Sequence, residues 1–183
     1  MEDLVERNDL YYKKFTDLPF TGKVTGQWKG KIKNGKRRGL WKIYYDNGQL
    51  RSKGNYKDGK PDGLWEGYHE NGELLGKGIY RKGVKEDFWE TVTGSGLKGF
   101  GHYLKGAKEG LWEHFYDNGQ LRSKNIYKNG KQIDGPNEVY WENGSLWFSG
   151  VLKDGKREGP WKLFNLDGTL DETLTYKDGE LIK

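Results

Sequence analysis

Apolar residues in this chain recur at alternate positions over short spans, and glycine interrupts each span before a helical period can establish itself. From Gly39 to Gly63 the sequence reads GLWKIYYDNGQLRSKGNYKDGKPDG, and from Gly110 to Lys131 it reads GLWEHFYDNGQLRSKNIYKNGK. Period-two alternation is the pattern of a strand with one buried face. Outside the first twenty residues, no ten-residue stretch avoids glycine while keeping apolar residues at the 3.6 spacing of a helix. Two sets of glycines mark the turns. One closes Asn-Gly or Asp-Gly type pairs at Gly48, Gly72, Gly119, Gly144 and Gly168. The other, at Gly35, Gly59, Gly83, Gly106, Gly130, Gly155 and Gly179, is spaced 24, 24, 23, 24, 25 and 24 residues apart. A fixed period of this length marks a repeat architecture. The pattern predicts an all-β protein, an elongated single-layer antiparallel β-meander of tandem hairpins of roughly 24 residues.

Asn-Gly and Asp-Gly favour two-residue type I′ hairpin turns, because both central positions need φ > 0. Such a turn at Asn47-Gly48 sets Tyr45 opposite Leu50, Ile43 opposite Ser52, Trp41 opposite Gly54 and Gly39 opposite Tyr56. Trp41, Ile43, Tyr45, Leu50 and Tyr56 then share one face; Leu40, Lys42, Tyr44, Arg51, Lys53 and Asn55 share the other. An even repeat keeps each indole on the same side. The predicted core is therefore Trp41, Trp65, Trp89, Trp112 and Trp161 with Tyr56, Tyr80, Tyr103, Tyr127 and Tyr176. The 23- and 25-residue steps predict irregularity near Thr93-Gly94-Ser95-Gly96 and near Gln132-Ile133-Asp134. Residues 1–20 lack the repeat and read as an N-terminal capping segment, with the array of about seven units over 21–183.

Composition makes this core a thin one. Hydrophobic residues are 33% of the chain, too few for an aliphatic core, but aromatics reach 15%, with eight Trp and twelve Tyr. The formal charge is +5, from 32 basic and 27 acidic residues that are interspersed, with no run of five or six like charges. That mixture argues against a nucleic-acid partner. The absence of cysteine excludes disulfides and thiolate metal sites. No apolar run approaches the roughly 18 residues of a membrane-spanning helix, and the first residues, MEDLVER, have no signal-peptide core. As it stands the chain reads as cytoplasmic; a removed export signal would leave no trace.

The unit G-x-W-x-x-Y/F-x-x-N-G-x-L-x-x-x-G-x-Y-K-x-G-K resembles the MORN-type repeats, and more closely their bacterial variant, found in proteins labelled YwqK-family antitoxins. The resemblance runs from about residue 20 to 183, and Leu18-Pro19-Phe20-Thr21-Gly22-Lys23 looks like the segment that opens such arrays. It implies a β-hairpin array engaged in protein–protein or membrane contacts. Three places depart from the pattern: Asn137 stands where tryptophan is expected, with Trp141 and Trp147 nearby; the third unit is one residue short; and Leu174 occupies a usual glycine position.

Candidate chemistry is sparse. His69, His102 and His114 lack metal-ligand spacing, and the acidic residues Asp46, Glu70, Asp117 and Glu142 recur at turn shoulders, where they serve the turn. No serine lies in a nucleophile motif, and no phosphate-binding loop or calcium loop occurs. No enzyme activity, cofactor or metal is expected. The face opposite the indoles mixes rings with cations at Tyr44, Arg51, Tyr68, Phe115, Arg122, Tyr140 and Phe164, a composition favoured at binding hot spots. The expected role is a protein-interaction scaffold, antitoxin- or immunity-like by the resemblance. Glycan binding by exposed Trp and Tyr rings and weak association with an anionic membrane are the alternatives.

Overall fold

The computed structural model describes residues 3–182, all strand, turn and coil. It falls into two compact bodies, Met1–Asp87 and Phe88–Lys183. The first holds a two-stranded hairpin, β1 (Leu4–Arg7) and β2 (Leu10–Lys13), then β3 (Gly22–Val24), β4 (Trp28–Lys33), β5 (Lys36–Tyr44), β6 (Leu50–Lys57), β7 (Lys60–Tyr68) and β8 (Leu74–Arg81). After β9 (Val84–Val92), the second holds β10 (Lys98–Leu104), β11 (Ala107–Phe115), β12 (Leu121–Lys128), β13 (Lys131–Gln132), β14 (Gly135–Tyr140), β15 (Leu146–Lys153), β16 (Lys156–Phe164), β17 (Leu170–Lys177) and β18 (Glu180–Leu181). The strands β3 to β18 form one antiparallel sheet of 16 strands in meander order that does not close on itself.

The two sets of turns use different chemistry. At each turn ending in Gly35, Gly59, Gly83, Gly106, Gly130, Gly155 and Gly179, the preceding residue also has positive φ, as at Asp58 (51°) and Gly59 (85°). These are two-residue type I′ turns. The Asn-Gly turns are not, which corrects the type I′ expectation there. Only the glycine has positive φ. Gly48 N–H donates to Tyr45 O at 3.0 Å and Tyr45 N–H to Gln49 O at 2.9 Å, the pattern of a type I turn followed by a glycine bulge. The asparagine side chain explains the difference: Asn47 Oδ1 accepts from Gln49 N–H at 2.9 Å, a local bond that fixes the turn from within. The extra loop residue moves the next pair, so Leu50 faces Tyr44 rather than Tyr45, while Ile43–Ser52, Trp41–Gly54 and Gly39–Tyr56 pair as expected.

Bulges are a regular part of the repeat, not confined to two odd units. Each described junction from one hairpin to the next skips residues around a glycine of positive φ, such as Gly39, Gly63, Gly110 and Gly159. The turn at Thr93–Leu97 is regular, with the same two hydrogen bonds as its relatives. The expected irregularity there is instead absorbed in β10, seven residues long where β6, β8, β12, β15 and β17 have eight. Near Gln132–Asp134 the extra residue does split a strand, into β13 and β14.

Residues 4–13 lie against the first repeat. Tyr11 N–H donates to Gly35 O at 2.9 Å, and Tyr11 joins Val24, Ile32, Trp41 and Tyr56 in a buried cluster.

Candidate interaction surface

The face that becomes buried is decided by glycine. Gly30, Gly54, Gly101 and Gly150 have ordinary φ, yet a Cβ on any of them would lie 2.0–2.4 Å from an indole carbon of Trp41, Trp65, Trp112 and Trp161 respectively. Each indole thus lies flat on the glycine of the strand before it. Gly54 pairs with Trp41 across its own hairpin, as the sequence predicts, but the ring that covers it is Trp65 of the next strand. Burial is nearly complete for Trp41 (1%), Trp89 (3%), Trp112 (0%) and Trp161 (3%), and partial for Trp65. Tyr56 is buried; Tyr80, Tyr103, Tyr127 and Tyr176 are half-buried. The rings meet edge to face, Trp41–Tyr56 at 6.1 Å, Tyr56–Trp65 at 5.6 Å and Tyr103–Trp112 at 5.2 Å. Each such pair contributes about 0.5–1.5 kcal/mol beyond area burial.

Cations complete this face, and sequence reading missed them. The Arg37 guanidinium stands over the rings of Tyr11, Trp28, Trp41 and Tyr56, 4.6–5.3 Å from their centroids, and donates to Tyr11 Oη at 2.6 Å. Lys108 Nζ is 4.1 Å from the Trp112 ring, and the Arg157 guanidinium 4.5 Å from that of Trp161. The available signal was a basic residue four places before the tryptophan, present at Arg37, Lys85, Lys108 and Arg157. Burial lowers the Lys85 ammonium pKa and raises the Tyr103 and Tyr127 phenols.

Successive hairpins are stitched at both ends. Tyr45 Oη donates to Tyr68 O at 2.8 Å, and Tyr116 Oη to Tyr140 O at 2.7 Å. Asn47 Nδ2 donates to Glu70 O at 3.1 Å, and Asn118 Nδ2 to Glu142 O at 2.8 Å. At the opposite end Asp62, Glu109 and Glu158 accept the turn amides of Lys82, Asn129 and Asp178 at 2.8–3.1 Å. The carboxylates read in the sequence as turn residues therefore have relatives that bind the next turn.

The opposite face stays open. In the first body Leu40 and Leu64 are 53% and 51% exposed. In the second, Phe88, Leu111, Ile126 and Val151 are 48–51% exposed, with Leu111 directly opposite Ile126. Leu40, Leu64, Phe88 and Leu111 sit immediately before an indole, Ile126 faces Leu111, and Val151 faces Pro136, the residue before Asn137, so that they form an apolar row in each body. Beside it runs a charged row with the ion pairs Lys53–Glu66 (2.8 Å) and Lys124–Glu113 (2.9 Å). Tyr68 Oη also donates to Glu66. The bonds from Lys53 and Tyr68 lower the Glu66 carboxyl pKa, and the same contacts raise those of Lys53 and Tyr68.

A third row holds the rings picked out from sequence. Tyr44, Tyr68, Phe115, Tyr140 and Phe164 are half-buried and face Leu50, Leu74, Leu121, Leu146 and Leu170. Lys29 Nζ lies 4.6 Å from the Tyr44 centroid, Phe115 meets Phe100 edge-on at 5.6 Å, and Tyr140 Oη donates to Glu138 at 2.7 Å. The two arginines go elsewhere: Arg51 stands over Tyr45 at 5.7 Å and Arg122 over Tyr116 at 6.0 Å. The predicted set is thus divided between a ring row and the stitching tyrosines. The apolar row was the feature sequence reading underweighted, though its signal is plain in the repeated G-L-W.

The histidines are not brought together. His69 is half-buried, His102 is exposed against Phe88, and His114 stacks on Trp112 with its Nδ1 3.4 Å from Ser123 Oγ. Burial, then the charges of Lys108 and Arg122, lower the His114 pKa. Among the described residues no group of three or more His, Asp or Glu side chains could hold a metal ion, and no helix is long and apolar enough to cross a membrane.

A meander in which one hairpin after another lays an indole on the preceding strand's glycine, as at Gly30, Gly54, Gly101 and Gly150, defines a β-hairpin repeat protein. Four segments, 37–58, 61–82, 108–129 and 157–178, match the MORN repeat variant, so each of these hairpins is similar to that repeat. Each match covers one complete hairpin; the hairpins containing the short β10 and the split β13–β14 lie between them. No curated protein matches the chain.

Proposed function

We propose that this protein is a non-enzymatic scaffold that holds a protein partner on the sheet face opposite its indoles. The observation that carries the reading is the row of half-exposed Leu40 and Leu64 in one body and of Phe88, Leu111, Ile126 and Val151 in the other. Exposed apolar side chains repeated at one place in successive hairpins, flanked by ion pairs and rings, have the composition of an interface core with a polar rim. MORN repeats are generally associated with protein- and membrane-binding modules, which supports the same reading. Neutralisation of a partner, as an antitoxin or immunity protein would do, is a special case of it. Burial of Trp41, Trp89, Trp112 and Trp161 favours a protein partner over glycan binding, which needs open rings.

A photo-crosslinking residue at Leu111 should capture a protein partner from native extract, whereas one at Ser123, on the buried face, should not. Leu64→Lys with Leu111→Lys should weaken that partner about tenfold or more while changing stability by no more than about 0.5 kcal/mol per site. Equal capture from both positions, or binding indifferent to the lysines, would refute the proposal.

A further inference from the structure

The even look of the charge pattern hides one concentration. Residues 18–45 contain eight Lys and Arg and no Asp or Glu, so the remainder of this +5 chain is net negative. The fold gathers seven of these cations on the outward face. In β4, Trp28, Gly30 and Ile32 turn inward, leaving Lys29, Lys31 and Lys33 outward. Opposite them lie Lys42, Arg38 and Lys36, in three like-charge cross-strand pairs, and Lys23 of β3 faces Lys31 from the other side. Like charges directly opposite each other destabilise a sheet. None of the seven forms an ion pair among the described residues.

The other repeats show that this is a departure. Position 42 is Glu66, Glu90, Glu113 and Glu138 in the next four units, where Glu66 and Glu113 neutralise lysines, and Lys162 in the last, which faces Ser149 and Thr173 and not other cations. Position 38 is Asp62, Glu109 and Glu158, which hold turn amides. The first hairpin has exchanged both carboxylates for cations. Its arginine cannot accept the turn amide, so the change removes a stabilising bond as well as adding repulsion.

We infer that this plate on β3–β5 is a docking site for a short acidic segment of a partner protein, an inference that rests on the scaffold reading and specifies the partner's chemistry. Size favours a peptide over a larger polyanion. The plate spans three strands, about 10 Å, and about 13 Å along β4, and residues 46–87 beyond it have no net charge. Lys29, Lys31 and Lys33 repeat at the two-residue strand period, about 7 Å, which is the spacing of alternate side chains in an extended peptide. Leu40, exposed between Arg38 and Lys42, offers an apolar contact within the charged field. A bilayer would instead meet a single exposed aliphatic residue here.

The test compares the intact chain with two charge-reversed variants, Lys31→Glu/Arg38→Glu on the plate and Lys57→Glu/Lys60→Glu at another exposed lysine pair. The probes are a peptide of about ten residues alternating Glu and Thr, a short duplex DNA, and phosphatidylserine vesicles, each at about 0.15 M salt. The peptide is expected to bind the intact chain, to weaken about tenfold or more with K31E/R38E, and to stay within about twofold with K57E/K60E. Absence of peptide binding, equal loss in both variants, or tighter plate-dependent binding of duplex or vesicles would overturn the inference. Cross-linking at Leu111 that survives any of these results would leave the scaffold reading standing, while its loss would remove both.

Discussion

Glycine and tryptophan form the smallest unit of this fold, and they lie on different hairpins. Glycines occupy positions 30, 54, 78, 101 and 150, and tryptophan follows on the next strand at 41, 65, 89, 112 and 161. Where Asn125 replaces the glycine, Asn137 replaces the indole. Adding one methyl at Gly54 should therefore displace the Trp65 ring and cost about 1–3 kcal/mol, whereas Asn55→Ala should cost little. Chemical denaturation gives the cost, and fluorescence of single-tryptophan variants should report a change at Trp65 larger than at Trp41. A second residue-scale expectation concerns pH. His114 has a lowered pKa in the folded chain, so on acidification the unfolded state takes up the proton first and stability falls. The drop in urea midpoint between about pH 7.5 and about pH 5.5 should be smaller in His114→Gln than in the parent.

At the scale of elements, the two turn types make different demands. Lys82 holds φ of 51° in a type I′ turn, where asparagine fits with less strain. Lys82→Asn should raise stability by a few tenths to about 1 kcal/mol, read from the denaturation midpoint. Asn118 has a different role, holding its own turn through Gln120 N–H and the next hairpin through Glu142 O. Asn118→Ala should cost about 1–3 kcal/mol and speed amide exchange at Gln120. Strand identity, hairpin pairing and the side of each indole were legible in the sequence because period two and a nearly even repeat leave little freedom. Turn type was not, because Asn-Gly suits both a type I′ turn and a type I turn with a bulge, and a side-chain bond to Gln49 or Gln120 decides between them. The position of the indole over the preceding strand was hidden for a related reason. Hairpin pairing can be counted from a turn, but the junction between hairpins contains a bulge that counting from Asp58-Gly59 does not reveal.

For the molecule as a whole, stability comes from repetition of one contact and not from a central core. Trp112, fully buried, should cost about 3–5 kcal/mol when cut to alanine. In a chain whose units contact mainly their neighbours, that loss should fall on adjacent hairpins, with hydrogen exchange rising in β10–β12 before the first body. The candidate surface was only partly legible at this scale. Its rings were found from alternation, but Leu40, Leu64 and Leu111 looked like ordinary strand residues until burial showed which face was covered. The basic plate is hidden in the sequence because Lys alternates with Trp28, Gly30 and Ile32 in β4; only the strand geometry sets its lysines together on one side.

Hydroxyl-radical footprinting with residue-resolved mass spectrometry tests the central claim most directly, since it reads both faces of the same strand at neighbouring residues. Trp41 and Trp112 should be protected in the native chain and Leu40 and Leu111 labelled, although indole is intrinsically the more reactive group. Rapid oxidation of Trp41 and Trp112 alongside protection of Leu40 and Leu111 would invert the buried and open faces and contradict the account.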